Sequence, residues 1–395
     1  MLSRKFGKEV ANYFSGSPLN RLSFLRSDHT FLSQAVTHPS TSFLLLRNLD
    51  PLTTSPESLA YLRYPEVEPA IGNPFKQPED DQIRDFDSGA PAKPLALFLG
   101  IDESSPPAES FTYKRYTGAP FFALGIPESS STPAISTLLA ALDSRSLTFK
   151  KARIELSLPA PQAALYAQAR SNLDWNARNP FCAGCGHRTL SIHAGYKRVC
   201  PPTDAALSRG TSEGSSTARP DCPTWHGLTN LSFPRTDATV IMAIVSSDGS
   251  KILLGRQKRW PPHWFSCLAG FIEPGESIED AVRREVWEES GVRVGRVVMH
   301  STQPWPYPSN LMVGAIAQCV PGGDGIDLTD QELERAAWYE VGEVREALRT
   351  GVSGLGDPPP EGYKEGGLRI PPRTAIANQL IQAVCDGFLE VTGKL

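Results

Sequence analysis

No apolar run in this 395-residue sequence approaches the roughly 20 residues that a membrane-crossing helix needs. The run VIMAIV at Val240–Val245 has only the length of a buried strand. Excess positive charge is also missing. The 39 Lys and Arg are balanced by 43 Asp and Glu, for a net charge of −4, which argues against a large basic nucleic-acid surface. No secretory signal pattern opens the chain. Cysteine is scarce, with seven residues, and shows no evident disulfide framework, which suits a reducing compartment. Cytosol is therefore the expected location. Peroxisome is second, because Gly393-Lys394-Leu395 differs by one residue from the Ser-Lys-Leu address. The length predicts two or three domains.

The information in the chain is concentrated at Gly270–Val292, GFIEPGESIEDAVRREVWEESGV. Pro274 and Gly275 make a turn. Ser277 is a good N-cap, and Asp280 three residues on completes a capping-box pattern. The helix should run to about Ser290, with Gly291 as its left-handed stop. At 100° per residue, Ile278, Ala281, Val282 and Val286 form one apolar stripe. Glu285 and Glu289 project into that stripe, with Glu288 on its edge. An acid-rich helix is usually a solvated face, but inward carboxylates must be paired or neutralised. A hard divalent cation does this with oxygen ligands.

This segment resembles the Nudix box, the signature of hydrolases that cleave a nucleoside diphosphate linked to another group. The resemblance implies that Glu285, Glu288 and Glu289 are catalytic and hold Mg²⁺ or Mn²⁺. It also implies that Gly270, Glu276, Arg284 and Gly291 shape the box, with Glu276 pairing to Arg284. Which glutamate acts as general base stays open. Glu332, in QELERAAWYE, and the backbone carbonyl of Ala269 are further metal ligands by resemblance.

Ten residues past the box stands Thr302-Gln303-Pro304-Trp305-Pro306-Tyr307-Pro308-Ser309-Asn310. It resembles the SQPWPFPxS array of the NADH pyrophosphatase branch, with Thr302, Tyr307 and Asn310 as mild departures. Alternating prolines predict a stiff extended loop that presents Trp305 as a stacking platform. Gln303 to Asn310 are thus substrate-binding candidates. By resemblance, so are Phe271, Phe233 and Ala377, although Ala377 also fits helix packing.

Cys182-Ala183-Gly184-Cys185-Gly186 is a zinc-knuckle turn, and Cys200 follows at the spacing of that branch's zinc ribbon. The resemblance calls for a fourth Cys at position 203, where Thr stands. A Ser/Thr/Gly-rich insertion, about 203–221, reads as a disordered loop. Cys222 is inferred to close the site, with His226 as the alternative and His187 and His193 behind it. One structural Zn²⁺ per chain is expected, because four protein ligands leave no position for water. Cys267, Cys319 and Cys385 lie in apolar runs and read as core.

The expected organisation is an N-terminal α+β domain (1–165), a zinc ribbon (175–230) and a Nudix domain (233–395). The last is an α/β/α sandwich with a mixed sheet, so the fold class is α/β (α+β). Positions 51–92 and 103–110 read as loops, and Gln162–Asp174 as a helix. The N-terminal part carries no catalytic signature. The resemblance implies an NAD(H) pyrophosphatase, converting NADH and water to NMNH and AMP, and a homodimer. Three alternatives are removal of a 5′ NAD cap from RNA at the same site, a Nudix hydrolase of ADP-ribose or diadenosine polyphosphate, and a non-enzymatic zinc-ribbon binding module.

Overall fold

A computed structural model describes residues 11–104, 110–126, 132–151, 157–209, 217–226, 231–232, 234–273, 276–328 and 332–388. Phe233, Pro274, Gly275 and the Gly393-Lys394-Leu395 tripeptide lie outside these residues. The chain divides into two compact units. One comprises Ser17–Arg235 with Pro306–Ser309. The other comprises the first sixteen residues, Thr236–Trp305 and Asn310–Leu395. Among the described residues, no helix is long and apolar enough to cross a membrane.

The first unit is built on an eight-stranded sheet. Strand Ser42–Arg47 runs parallel to Tyr116–Ile126, which is antiparallel to Leu95–Asp102. The runs SFLLL and ALFLGI are buried without alternation, as strands covered on both faces should be. Phe31, Phe43, Phe98 and Phe122 interlock in the core, with Phe31 edge-on to Phe98 at 5.2 Å.

Positions 51–92 depart from the loop expectation. They contain strand Asp50–Ser55 and helices Tyr64–Ile71 and Glu79–Arg84. Proline misleads here because Pro65 and Pro78 sit at helix starts, where a missing N–H and a fixed φ are no handicap.

The helix expected at Gln162–Asp174 spans Ala160–Arg178. Gln168 and Asn176 are buried in it beside Leu165, Leu173 and Trp175, and form hydrogen bonds there. Gln168 donates to Leu99 O (3.0 Å) and Tyr196 Oη (2.8 Å), and Asn176 donates to Gly195 O (2.8 Å). One helix therefore anchors both the sheet and the cysteine-bearing ribbon, and the expected boundary at 165–175 falls within it.

The second unit is a six-stranded mixed sheet between helices, the expected α/β/α sandwich. Asp237–Val245 lies centrally, parallel to Asn310–Cys319 and antiparallel to Lys251–Arg256 and Leu268–Phe271. Its side chains alternate between faces. Val240, Met242 and Ile244 meet Ala281, Val282 and Val286 of helix Ile278–Ser290. Ile241 and Ala243 meet Val344, Leu380 and Ile381 of helices Val341–Thr350 and Ile376–Cys385. Gly249 closes the 246–251 hairpin with φ 77°, which suits its lack of a side chain.

Candidate active site and thiolate centre

The helix Ile278–Ser290 begins and ends as its sequence dictates. Ser277 Oγ accepts from Asp280 N, and Gly291 adopts φ 73°. The capping box is modified: Asp280 takes the Ser277 hydroxyl rather than the backbone N–H (3.0 Å). Ala281, Val282, Val286 and Glu289 are buried, whereas the Asp280 side chain is 65% exposed.

Strand Leu268–Phe271 brings Gly270 against this helix. A Cβ at position 270 would lie 1.9 Å from Glu285 Cδ, so a side chain there would push that carboxylate out of its place. Arg284 organises the rest. It pairs bidentately with Glu276 (2.8 and 2.9 Å) and donates to Phe271 O (2.8 Å), Glu285 (2.9 Å) and Glu288 (2.9 Å). This contact holds the Glu276 carboxyl down at about 2.

Glu289 is 5% exposed, and its Oε2 has no hydrogen-bond partner. Burial, followed by the charges of Glu332 and Glu285, pushes its carboxyl up to about 8, against the Ala269 N–H that it accepts. Burial likewise raises Glu285, with Arg284 opposing and Glu288 and Glu332 adding to the shift. The Arg284 guanidinium is already shared among three carboxylates. A buried orphan oxygen among mutually repelling carboxylates fits a bound divalent cation. The glutamates do not converge as the cysteines do. Among the described residues, only the cysteine set places three or more ligand atoms within 4.8 Å of one another. Mg²⁺ sites that borrow ligands from substrate phosphates have this open character.

The aromatic array departs from expectation. Thr302–Trp305 is not a loop but the end of strand Val294–Trp305, with Trp305 opposite Asn310. Pro304 is tolerated because this strand is at the sheet edge. Strand pairing, rather than proline stiffness, thus holds the half-buried Trp305. Gln303 is buried and engaged, donating to Tyr13 O (3.0 Å) and Thr374 O (2.8 Å) and accepting from Ile376 N (2.9 Å). Ala377 lies in the core at 2% exposure, in keeping with helix packing. Pro306–Ser309 form a turn within the first unit, where Arg170 donates to Pro306 O and Pro308 O and lies over the Tyr307 ring. Ser309 donates to Arg235 O (3.3 Å). Asn310 donates to Thr239 Oγ1 (3.2 Å), and its Oδ1 has no partner. Phe271 is exposed, and Glu332 is exposed beside the helix carboxylates.

The sulfurs of Cys182, Cys185, Cys200 and Cys222 converge, with Cys182–Cys222 at 3.7 Å and Cys185–Cys200 at 3.6 Å. A tetrahedron with the usual zinc–sulfur distance of about 2.3 Å has edges of about 3.8 Å. The Gly184 N–H points at Cys182 Sγ (3.4 Å), and the Thr224 hydroxyl lies 3.0 Å from Cys222 Sγ. His226 instead contacts Asp221 in solvent (2.7 Å), and His187 and His193 are not in the cluster.

The insertion is ordered at its base, contrary to the expectation of a disordered loop across 203–221. Residues 210–216 lie outside the described residues. Thr203 bridges to Ala218, and a buried Arg219–Asp204 ion pair (2.6 Å) clamps the two sides. Burial raises the Asp204 carboxyl, but Arg219 and the Ser88 and Ala206 amides outweigh it and hold it at about 2. Composition alone gave no signal for this pair, which joins residues across the insertion.

The chain matches the NUDIX domain over residues 235–355 and the NADH pyrophosphatase zinc ribbon domain over residues 177–207. It is similar to the NAD-capped RNA hydrolase NUDT12 of Homo sapiens, 36% identical over 387 residues covering 95% of this chain and 73% of that protein. It is similar to the NAD-capped RNA hydrolase of Schizosaccharomyces pombe, 35% identical, covering 94% and 92%. The mitochondrial NAD(P)H pyrophosphatase NUDT13 of Mus musculus is 34% identical, covering 66% and 65%. Full-length similarity, the intact box helix and the four-thiolate centre agree: the chain belongs to the Nudix hydrolase family, in the branch that joins a Nudix domain to an NADH pyrophosphatase zinc ribbon.

Proposed function

We propose that this hydrolase cleaves the diphosphate of NADH or NAD, giving NMN(H) and AMP. The observation that carries the reading is the buried, unpartnered Glu289 oxygen among the carboxylates of the box helix. Glu285, Glu288, Glu289, Glu332 and the Ala269 carbonyl would hold Mg²⁺ or Mn²⁺. Bound cations would screen the diphosphate and lower the pKa of an attacking water. Arg284 keeps Glu276, Glu285 and Glu288 in register, and Gly270 makes room for the Glu285 carboxylate. The four thiolates would hold one structural Zn²⁺, leaving no open position for substrate.

Specificity is read from two rings at the same end of the sheet. Phe271 stands opposite Thr239, which leads through Met312 to Gln303, two residues before Trp305. Gln303 is thus about three strand spacings from Phe271, roughly 14 Å at 4.7–4.9 Å per strand, and Trp305, two residues further along its strand, stands roughly 16 Å from Phe271. A dinucleotide offers two flat ring systems joined by the diphosphate, which suits aromatic platforms flanking a metal site. NAD-capped RNA is the second reading, favoured by the two relatives named for that substrate, because the same linkage occurs at the RNA end.

Trp305→Ala tests the assignment. A stacked ring contributes about 0.5–1.5 kcal/mol beyond burial. The Michaelis constant for NADH should therefore rise roughly two- to tenfold, while hydrolysis of ADP-ribose, which lacks the nicotinamide ring, changes less. Parallel kinetics on NADH, NAD-capped RNA and ADP-ribose read this directly. Equal losses on all three would make Trp305 a packing residue.

A further inference from the structure

The N-terminal residues Asn12–Gly16 belong to the Nudix unit rather than to the sheet domain that follows them. Asn12, 5% exposed, donates through its side-chain amide to Ser301 Oγ (3.0 Å) and Thr302 O (2.9 Å). Gln303 Nε2 donates back to Tyr13 O (3.0 Å). Three successive residues of the strand that ends in Trp305 are thereby strapped to this short segment. A turn closed by Ser15 N on Asn12 O (3.0 Å) then aims Phe14 back toward the strand.

Phe14 has φ 71°, in the left-handed region that bulky L-residues rarely occupy. Such backbone strain persists where surrounding contacts over-determine it, and it clusters at functional sites. The contact made in exchange is with Trp305. The two rings lie edge to face, with centroids 6.0 Å apart and planes at 80°. Tyr13 packs on Phe14 at 4.5 Å. Phe14 is buried, whereas Trp305 is half-buried and keeps part of its ring at the surface.

We propose that Phe14 is a specificity-determining positioning residue: by fixing the rotamer of Trp305 it sets the enzyme's preference for substrates that carry a second ring. Edge-to-face packing restricts the indole to one orientation, so less freedom is lost when a flat ligand stacks. The metal-site carboxylates stand mainly on helix Ile278–Ser290, a different element, so ring selection and diphosphate cleavage are separable. The inference rests on the reading that Trp305 meets a ring of the dinucleotide.

The test uses the full chain with Mg²⁺ and measures kcat and KM for NADH and for ADP-ribose. Phe14→Leu keeps apolar volume without an aromatic edge, and Phe14→Gly relieves the backbone strain while removing the ring. Both should raise KM for NADH about two- to tenfold and leave ADP-ribose within about twofold; Phe14→Tyr should restore the NADH value. In the Trp305→Ala background, Phe14→Leu should have no further effect, since the two act as one unit. Equal losses on both substrates, or effects that add in the double variant, would overturn the proposal. If Trp305→Ala alone leaves the NADH to ADP-ribose ratio unchanged, the stacking reading fails and the proposal with it. If Trp305→Ala shifts the ratio and Phe14→Leu does not, only the role of Phe14 fails.

Discussion

Glu289→Gln should lower turnover about 100-fold or more, within the range of acid–base and metal contributions, while the metal-free fold stays intact. Burial and the neighbouring carboxylates push Glu289 up to about 8, which favours its neutral form. Glutamine has the shape of that acid. The substitution therefore removes little from the fold and much from cation binding. Linkage gives a second readout. A carboxyl whose folded pKa lies above its unfolded value makes stability fall as pH rises from about 4.5 towards about 8. A cation that takes the charged form offsets that loss, so Mg²⁺ should raise the melting temperature of the wild type at pH 8 and do little for the variant. Kinetics at saturating Mg²⁺ and melting curves with and without the ion check both. Near-normal turnover would remove Glu289 from the metal site.

Cys222→Ser should lower zinc retention, whereas His226→Ala should leave about one zinc per chain. The sulfur geometry includes Cys222, and the exposed His226 pairs with Asp221. The cysteine also sits across an insertion. Widening the tether from 3 residues, as in a knuckle, to the 22 from Cys200 to Cys222 lowers the local ligand concentration about 20-fold, following the −3/2 power of length. The Asp204–Arg219 pair reverses much of this by holding the base of the insertion closed. Breaking a buried pair by removing one partner costs about 3–5 kcal/mol. Asp204→Asn should therefore release zinc faster to a chelator, with Cys222 still in place. Metal analysis and release kinetics would reveal the opposite pattern, in which loss on His226→Ala makes the imidazole the ligand.

The box helix was legible because its signals are local. Ser277, Gly291 and the inward phase of Glu285 and Glu289 depend on a few neighbours along the chain, and all appear where helical periodicity places them. The strands followed from short apolar runs of strand length, and their mixed orientation from the resemblance to the Nudix fold. What escaped is non-local or rests on proline. Pro65, Pro78 and Pro304 were read as loop markers, yet two start helices and one lies in an edge strand. The hydrogen bonds of Gln303 were not legible because its partners, Tyr13, Thr374 and Ile376, are distant in sequence. The Asn12 strap on Ser301 spans 289 residues and leaves no periodic trace in either segment. The Arg219–Asp204 clamp was hidden inside a polar, low-complexity stretch whose composition alone suggests a solvated chain.

Product analysis tests the central claim most directly. The purified chain would be incubated with NADH and Mg²⁺, and the products separated by HPLC. Diphosphate hydrolysis at the box helix is expected to give AMP and NMNH in equal amounts, with none formed when the divalent ion is chelated. Intact NADH under these conditions, or nicotinamide with ADP-ribose from cleavage at the glycosidic bond, would contradict it.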